Sequence, residues 1–219
     1  MAPREGQVRV EGVDETLIDV VCERLRDHLP VDDAEQAARF VRQYYRWVAP
    51  DDVADRTELD VYGAGLAHFN FARDRAPGMP KVRVYNPDFE THGWKSTHTA
   101  VEVVTDDMPF LVDSVTMELN RRGFGVHVII HPVITMRRDA GGRLVEVLTQ
   151  GDAPVAGQTV ESVLHAEVDR ETDDEALAQL ADHVRRVIGE VRAAVEDWEP
   201  MRGMALQVAS ELGAIPPPI

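Results

Sequence analysis

Apolar positions along the chain keep a helical period up to about residue 75 and an alternating one after residue 80. Leu17, Val20, Val21 and Leu25 form a first stripe, and Phe40, Val41, Tyr44 and Val48 a second. Leu59, Tyr62, Leu66 and Phe69 form a third, so three amphipathic helices are expected. Asp14 opens the first and Pro30 stops it. Asp32 with Glu35 reads as a capping box for the second, and Thr57 caps the third, which runs out near Arg75. Gly63 and Gly65 weaken that third helix by about 1 kcal/mol each relative to alanine. Close packing against a neighbouring element would justify them.

Residues 76–80, Ala-Pro-Gly-Met-Pro, are the clearest break. Beyond them, residues 81–85 and 99–104 alternate and are rich in β-branched side chains, as strands are. His92-Gly93-Trp94 lies in the loop between. The acidic run 105–114 then leads into a helix with the stripe Leu111, Val115 and Leu119. Asp106 or Asp107 suits its cap, Pro109 its first turn and Gly123 its end. Residues 126–131 return as a strand, and His131-Pro132 interrupts a pattern that continues through Val133, Ile134 and Met136; a bulge or edge would tolerate that proline. A hairpin turn at 139–142, strands at 144–148 and 162–168, and a long helix capped by Thr172 and Glu175 follow. Trp198 and Pro200 are expected to end that helix.

These elements predict an α+β fold, a sheet with two long helices on one face, preceded by an N-terminal helical layer. The expected organisation is a flexible 1–12, a helical subdomain 13–76 and an α/β domain 80–200. Residues 201–219 then form a short helix and a proline-rich linker. No strand follows the second long helix, and strand 81–85 would fill the vacant edge by permutation.

Composition narrows the function classes. The 219 residues carry a formal net charge of −16, which disfavours nucleic acid and anionic membrane surfaces as partners. The single cysteine, Cys22, forms no intramolecular disulfide and suits a reducing compartment; it reads as a small buried helix residue. No signal peptide is visible, and a cytoplasmic location is expected.

The run Asp106-Asp107-Met108-Pro109-Phe110-Leu111-Val112-Asp113-Ser114 carries a resemblance. With His131-Pro132, the turn 138–142, Tyr44-Tyr45-Arg46, His92-Gly93-Trp94 and Asp197-Trp198-Glu199-Pro200-Met201, it resembles the amino-terminal regulatory region of the large bacterial NAD-specific glutamate dehydrogenases. The resemblance implies an ACT-like (ferredoxin-like) two-layer sandwich, a module that commonly binds amino acids and regulates an attached enzyme. It also implies a parent enzyme that uses NAD, with its catalytic domain downstream and outside this chain. Many amino-acid-binding ACT modules have glycine where Phe110 stands, and a phenylalanine there would fill the pocket.

Candidate chemistry is sparse. Gly123-Phe124-Gly125 enters a strand instead of opening a helix, so no dinucleotide fingerprint is present. Asp106, Asp107 and Asp113 lack calcium-loop spacing, and His127 and His131 stand about 13 Å apart along a strand, too far for one zinc. No catalytic, cofactor or metal residue is expected in this chain. Asp106, Asp107, Met108, Pro109, Phe110, Leu111, Gly125 and His127 are the candidates for an effector site or subunit interface. Homo-oligomerisation and an amino-acid effector are expected, with a purely structural oligomerisation domain as the alternative.

Overall fold

The computed structural model describes residues 15–53, 56–149 and 151–214. The expectations for residues 1–12, Asp14 and 215–219 lie outside the described residues. In chain order the helices are α1 (Glu15–His28), α2 (Val31–Tyr44), α3 (Glu58–Ala72), α4 (Phe89–His92), α5 (Leu111–Arg121) and α6 (Asp174–Ala214). The strands are β1 (Lys81–Tyr85), β2 (Thr99–Asp106), β3 (Val126–Ile130), β4 (Val133–Arg138), β5 (Leu144–Val147) and β6 (Gln158–Val168).

All strand pairs are antiparallel, in the order β1-β2-β6-β4-β5, with β3 also paired to β6. β6 is the axis of the sheet. One of its edges is lined by β2, from Thr99↔Val168 to Asp106↔Glu161. Its other edge is shared end to end, β3 lying against residues 165–168 and β4 against 158–162. His131-Pro132 is the joint between them. Proline has no N–H for a ladder, but its carbonyl still accepts from the Val163 amide at 3.0 Å. β1 occupies the edge beside β2, the place expected for it.

Alternation sends the two faces of the sheet into two cores. Val101, Val103, Leu164, Ala166 and Val168 pack on Leu111, Val115 and Leu119 of α5 and Leu180, Val184 and Ile188 of α6. Val104, Ile134, Met136 and Val163 point the other way, into one cluster with Val21 and Leu25 of α1, Phe40 and Tyr44 of α2 and Phe69 of α3. The sheet is therefore the middle of three layers. A two-layer description covers only the sheet with α5 and α6, because the opposite face is also apolar and needs burying.

Several element ends differ from expectation. α2 starts at Val31 with Pro30 as its N-cap and no capping side chain, so Asp32 only complements the helix dipole. α6 is capped by Asp173, whose Oδ1 accepts from the amides of Glu175 (2.8 Å) and Ala176 (3.1 Å), and Thr172 is not the cap. α6 also runs through Pro200 to Ala214. The proline removes one backbone bond, and the good helix formers beyond it, among them Ala205, Leu206, Gln207 and Glu211, carry the helix on. β6 begins four residues early, because Glu161 breaks the apolar pattern.

Other ends agree. Thr57 and Asp60 form a reciprocal capping box on α3, and Gly123 closes α5 at φ 87°. Cys22 is buried on α1. Gly63 has the packing role expected of it: a Cβ there would stand 2.4 Å from the Gly93 carbonyl oxygen and 2.6 Å from Trp94 Cβ. Trp94 is itself fully buried. Gly63→Ala is therefore expected to destabilise the fold by about 1–3 kcal/mol in urea unfolding, despite alanine's better helix propensity. Unchanged or increased stability would contradict this packing.

Candidate functional site

The acidic turn joins the end of β2 to the start of α5. Asp107 continues the ladder by one bond, its amide donating to the Val160 carbonyl at 2.9 Å. Its Oδ1 accepts from the Ser162 hydroxyl at 2.6 Å. Asp106 does something else. Its Oδ1 takes a 2.6 Å bond from Arg75 and its Oδ2 lies 2.9 Å from Arg192 of α6. Neither aspartate caps α5, contrary to expectation. The N-cap is Phe110, with no capping side chain, and Met108-Pro109 hold both carboxylates too far back. Pro109 precedes the first turn.

Phe110 is the one non-glycine residue with positive φ among the described residues, at φ 67°, ψ 2°. The left-handed region costs an L-residue about 1–2 kcal/mol, and for a bulky side chain it is an outlier. Its ring is 69% exposed, so little packing offsets that strain. Leu111, one residue on, is buried between α5 and α6, and Met108 packs on the same cluster. The turn is thus anchored on both sides of a strained, outward-facing ring.

Arg75 sets the turn's electrostatics. It is buried, and besides Asp106 its Nε donates to Glu161 at 3.1 Å. Arg138 binds the other Glu161 oxygen at 2.7 Å. Burial works to raise the Glu161 carboxyl, but the Arg138 and Arg75 guanidiniums outweigh it and hold it below the usual range. Burial is likewise outweighed at Asp106, by Arg75 and Arg192.

Gly125 and His127 sit elsewhere. The Gly125 amide donates to Asp169 Oδ2 at 2.7 Å, and His127 Nε2 lies 2.8 Å from Oδ1 of the same carboxylate. The His127 ring stacks on His98 at 4.2 Å. Asp106 pairs with Glu161, and Val126 with Val168, seven residues further along β6. At strand spacing that is roughly 23 Å. Six of the eight expected residues therefore form one turn and two lie at the far end of the sheet. Two clefts, one between α2 and β5 and one beside Tyr44, Trp47 and His131, are lined by none of the eight.

A second polar group was not anticipated. Glu102 on β2 and His165 and Glu167 on β6 face α3, where His68 meets them, and all four are buried. Glu102 accepts from Arg83 at 2.6 Å and from the Tyr85 hydroxyl at 2.8 Å. Glu167 accepts from Arg56 at 2.6 Å and Ser96 at 2.9 Å. His165 Nε2 lies 3.2 Å from Glu167, and His68 Nδ1 lies 3.3 Å from the Tyr44 hydroxyl. Burial pushes His68 down to about 4. Both glutamates stay below the usual carboxylate range because their cationic partners outweigh burial. The available signal was charge inside otherwise β-branched strands; in a sheet with one wet face it reads as solvent exposure.

Comparison with known proteins adds the family. A profile described as "Glutamate dehydrogenase, ACT1 domain" matches residues 40–184. A protein of Halomonas elongata named NAD-specific glutamate dehydrogenase is 44% identical over 203 residues, 92% of this chain and 12% of that protein. One of the same name from Pseudomonas aeruginosa is 41% identical over 191 residues, 86% of this chain and 12% of its own length. One from Mycobacterium tuberculosis is 28% identical over 148 residues, 67% of this chain and 9% of that protein. The chain spans about an eighth of the length of the first two. Among the described residues no helix is long and apolar enough to cross a membrane.

Phe110→Gly is expected to stabilise the protein by about 1 kcal/mol in urea, since glycine adopts the left-handed conformation without strain. A loss of stability would show that the ring makes up its backbone cost.

Proposed function

The chain belongs to the family described as glutamate dehydrogenase, ACT1 domain, and from that membership we propose that it is a regulatory and assembly module, without a reaction centre of its own. The observation that carries this reading is Asp106, whose two oxygens hold Arg75 on the α1–α3 side and Arg192 of α6 on the other. A ligand or subunit that shifts the turn would pull on both helical layers at once. The neighbouring helix start, with its unpaired first amides and positive dipole end, suits an amino-acid carboxylate. The order β1-β2-β6-β3 with α5 and α6 on one face fits a permuted ferredoxin-like ACT module, β1 standing in for a final strand.

The parent enzyme would oxidise L-glutamate with NAD and water to 2-oxoglutarate, ammonia and NADH, its catalytic domain lying outside this chain. The names of the relatives support that assignment. Effector binding would act by favouring one arrangement of subunit contacts over another. Those contacts would use the edge strands β1 and β5 and the outer helices of a homo-oligomer. The net charge of −16 supports excluding nucleic acid and anionic membrane as partners. A second reading, a structural oligomerisation domain without a ligand, is favoured by the exposed Phe110, which stands where many amino-acid-binding ACT modules have glycine.

Calorimetric titration with a panel of amino acids at millimolar concentration, with light scattering on the same sample, tests both. Heat from at least one amino acid, lost in Asp106→Asn, together with an oligomer, is expected. An oligomer that gives no heat would leave assembly alone; a monomer that gives none would overturn both readings.

A further inference from the structure

We propose that His68, Glu102 and His165 form a zinc-type metal site between α3 and the centre of the sheet. One donor atom from each lies within 4.8 Å of the others, and all three side chains are fully buried. Tetrahedral zinc, with bonds of about 2.0–2.1 Å to nitrogen and oxygen, needs donors about 3.4 Å apart. Closing the group takes a contraction of up to about 1.4 Å, and two neutral imidazoles with one carboxylate suit zinc better than calcium or magnesium.

The orientation of the donors is independent support. His68 Nε2 and His165 Nδ1 are buried without a hydrogen bond of ordinary length, and the carboxylate facing His165 Nδ1 stands at 3.6 Å. The second nitrogen of each ring is already engaged, His68 Nδ1 by the Tyr44 hydroxyl and His165 Nε2 by Glu167. With protons on those engaged nitrogens, the two free ones present lone pairs to the Glu102 carboxylate, 3.6 Å from His165 Nδ1. Two imidazole lone pairs converging on a carboxylate in a dry interior are a donor set that suits a cation. A ring fixed through its second nitrogen by a carboxylate is also how metal-binding histidines are held.

Arg83 neutralises Glu102, and Arg56 neutralises Glu167. The ligand set is invisible to spacing rules, because residues 68, 102 and 165 come together only in the fold.

The 219-residue chain, unfolded in urea with EDTA and refolded with zinc chloride or cobalt(II) chloride, tests this. The expected result is one metal per chain, a raised unfolding midpoint, and the intense visible bands of tetrahedral cobalt with nitrogen and oxygen ligands. His68→Gln and Glu102→Gln should each weaken binding about 100-fold or more, as losing a ligand exceeds the usual second-shell penalty. His127→Asn, which removes the exposed histidine pair with His98, should leave binding intact. Failure of the unaltered chain to take up either metal would overturn the proposal, whatever the variants do. So would binding that survives His68→Gln in a folded variant, or that His127→Asn abolishes.

Discussion

A sheet covered by helices on both faces can keep a charge only by setting an opposite charge beside it. β2 and β6 bring three glutamates, Glu102, Glu161 and Glu167, into that interior. An unpaired buried carboxylate costs several kcal/mol, and breaking such a pair costs about 3–5 kcal/mol. Every partner comes from a different part of the chain: Arg56 ahead of α3, Arg75 just after it, Arg83 on β1 and Arg138 on β4. The helical layer and the sheet are thus joined by mutual neutralisation as well as by the apolar cluster around Phe40 and Val163. Arg75 extends the Glu161 group to Asp106, and Asp106 to Arg192. One chain of ion pairs spans all three layers.

That network explains which parts of the molecule were legible in the sequence. Local signals were. Thr57 caps α3, Gly123 ends α5, Asp139 anchors the 139–142 turn, and the shift from helical to alternating period at 76–80 marks the passage from helices to sheet. Even the place of β1 followed from counting strands and finding one edge vacant. Roles set by distant partners were not legible. Asp106 and Asp107 look like helix caps, yet Arg75, Arg192 and Ser162 claim them first. Gly125 and His127 follow the acidic turn closely in sequence, but α5 carries the chain to the far end of the sheet. Glu102, His165 and Glu167 look solvent-facing until α3 lies over them.

The turn before α5 combines strain with anchorage. Phe110 is held in a conformation that its backbone disfavours, between a buried leucine and an aspartate fixed by two arginines. Strain of this kind persists only where the surroundings over-determine it, and it clusters at sites that bind or switch. The acidic stretch is also where the two sides of the sheet are tied through a single carboxylate.

The most direct test of mutual neutralisation is to separate the layers. Residues 80–214, the sheet with α4, α5 and α6, should show no cooperative thermal transition by circular dichroism when produced alone. They would lack Arg56 and Arg75 and would expose the apolar face around Val104, Ile134 and Val163. A cooperative transition with near-native strand content would show that the sheet keeps its glutamates without the helical layer, and would contradict the account.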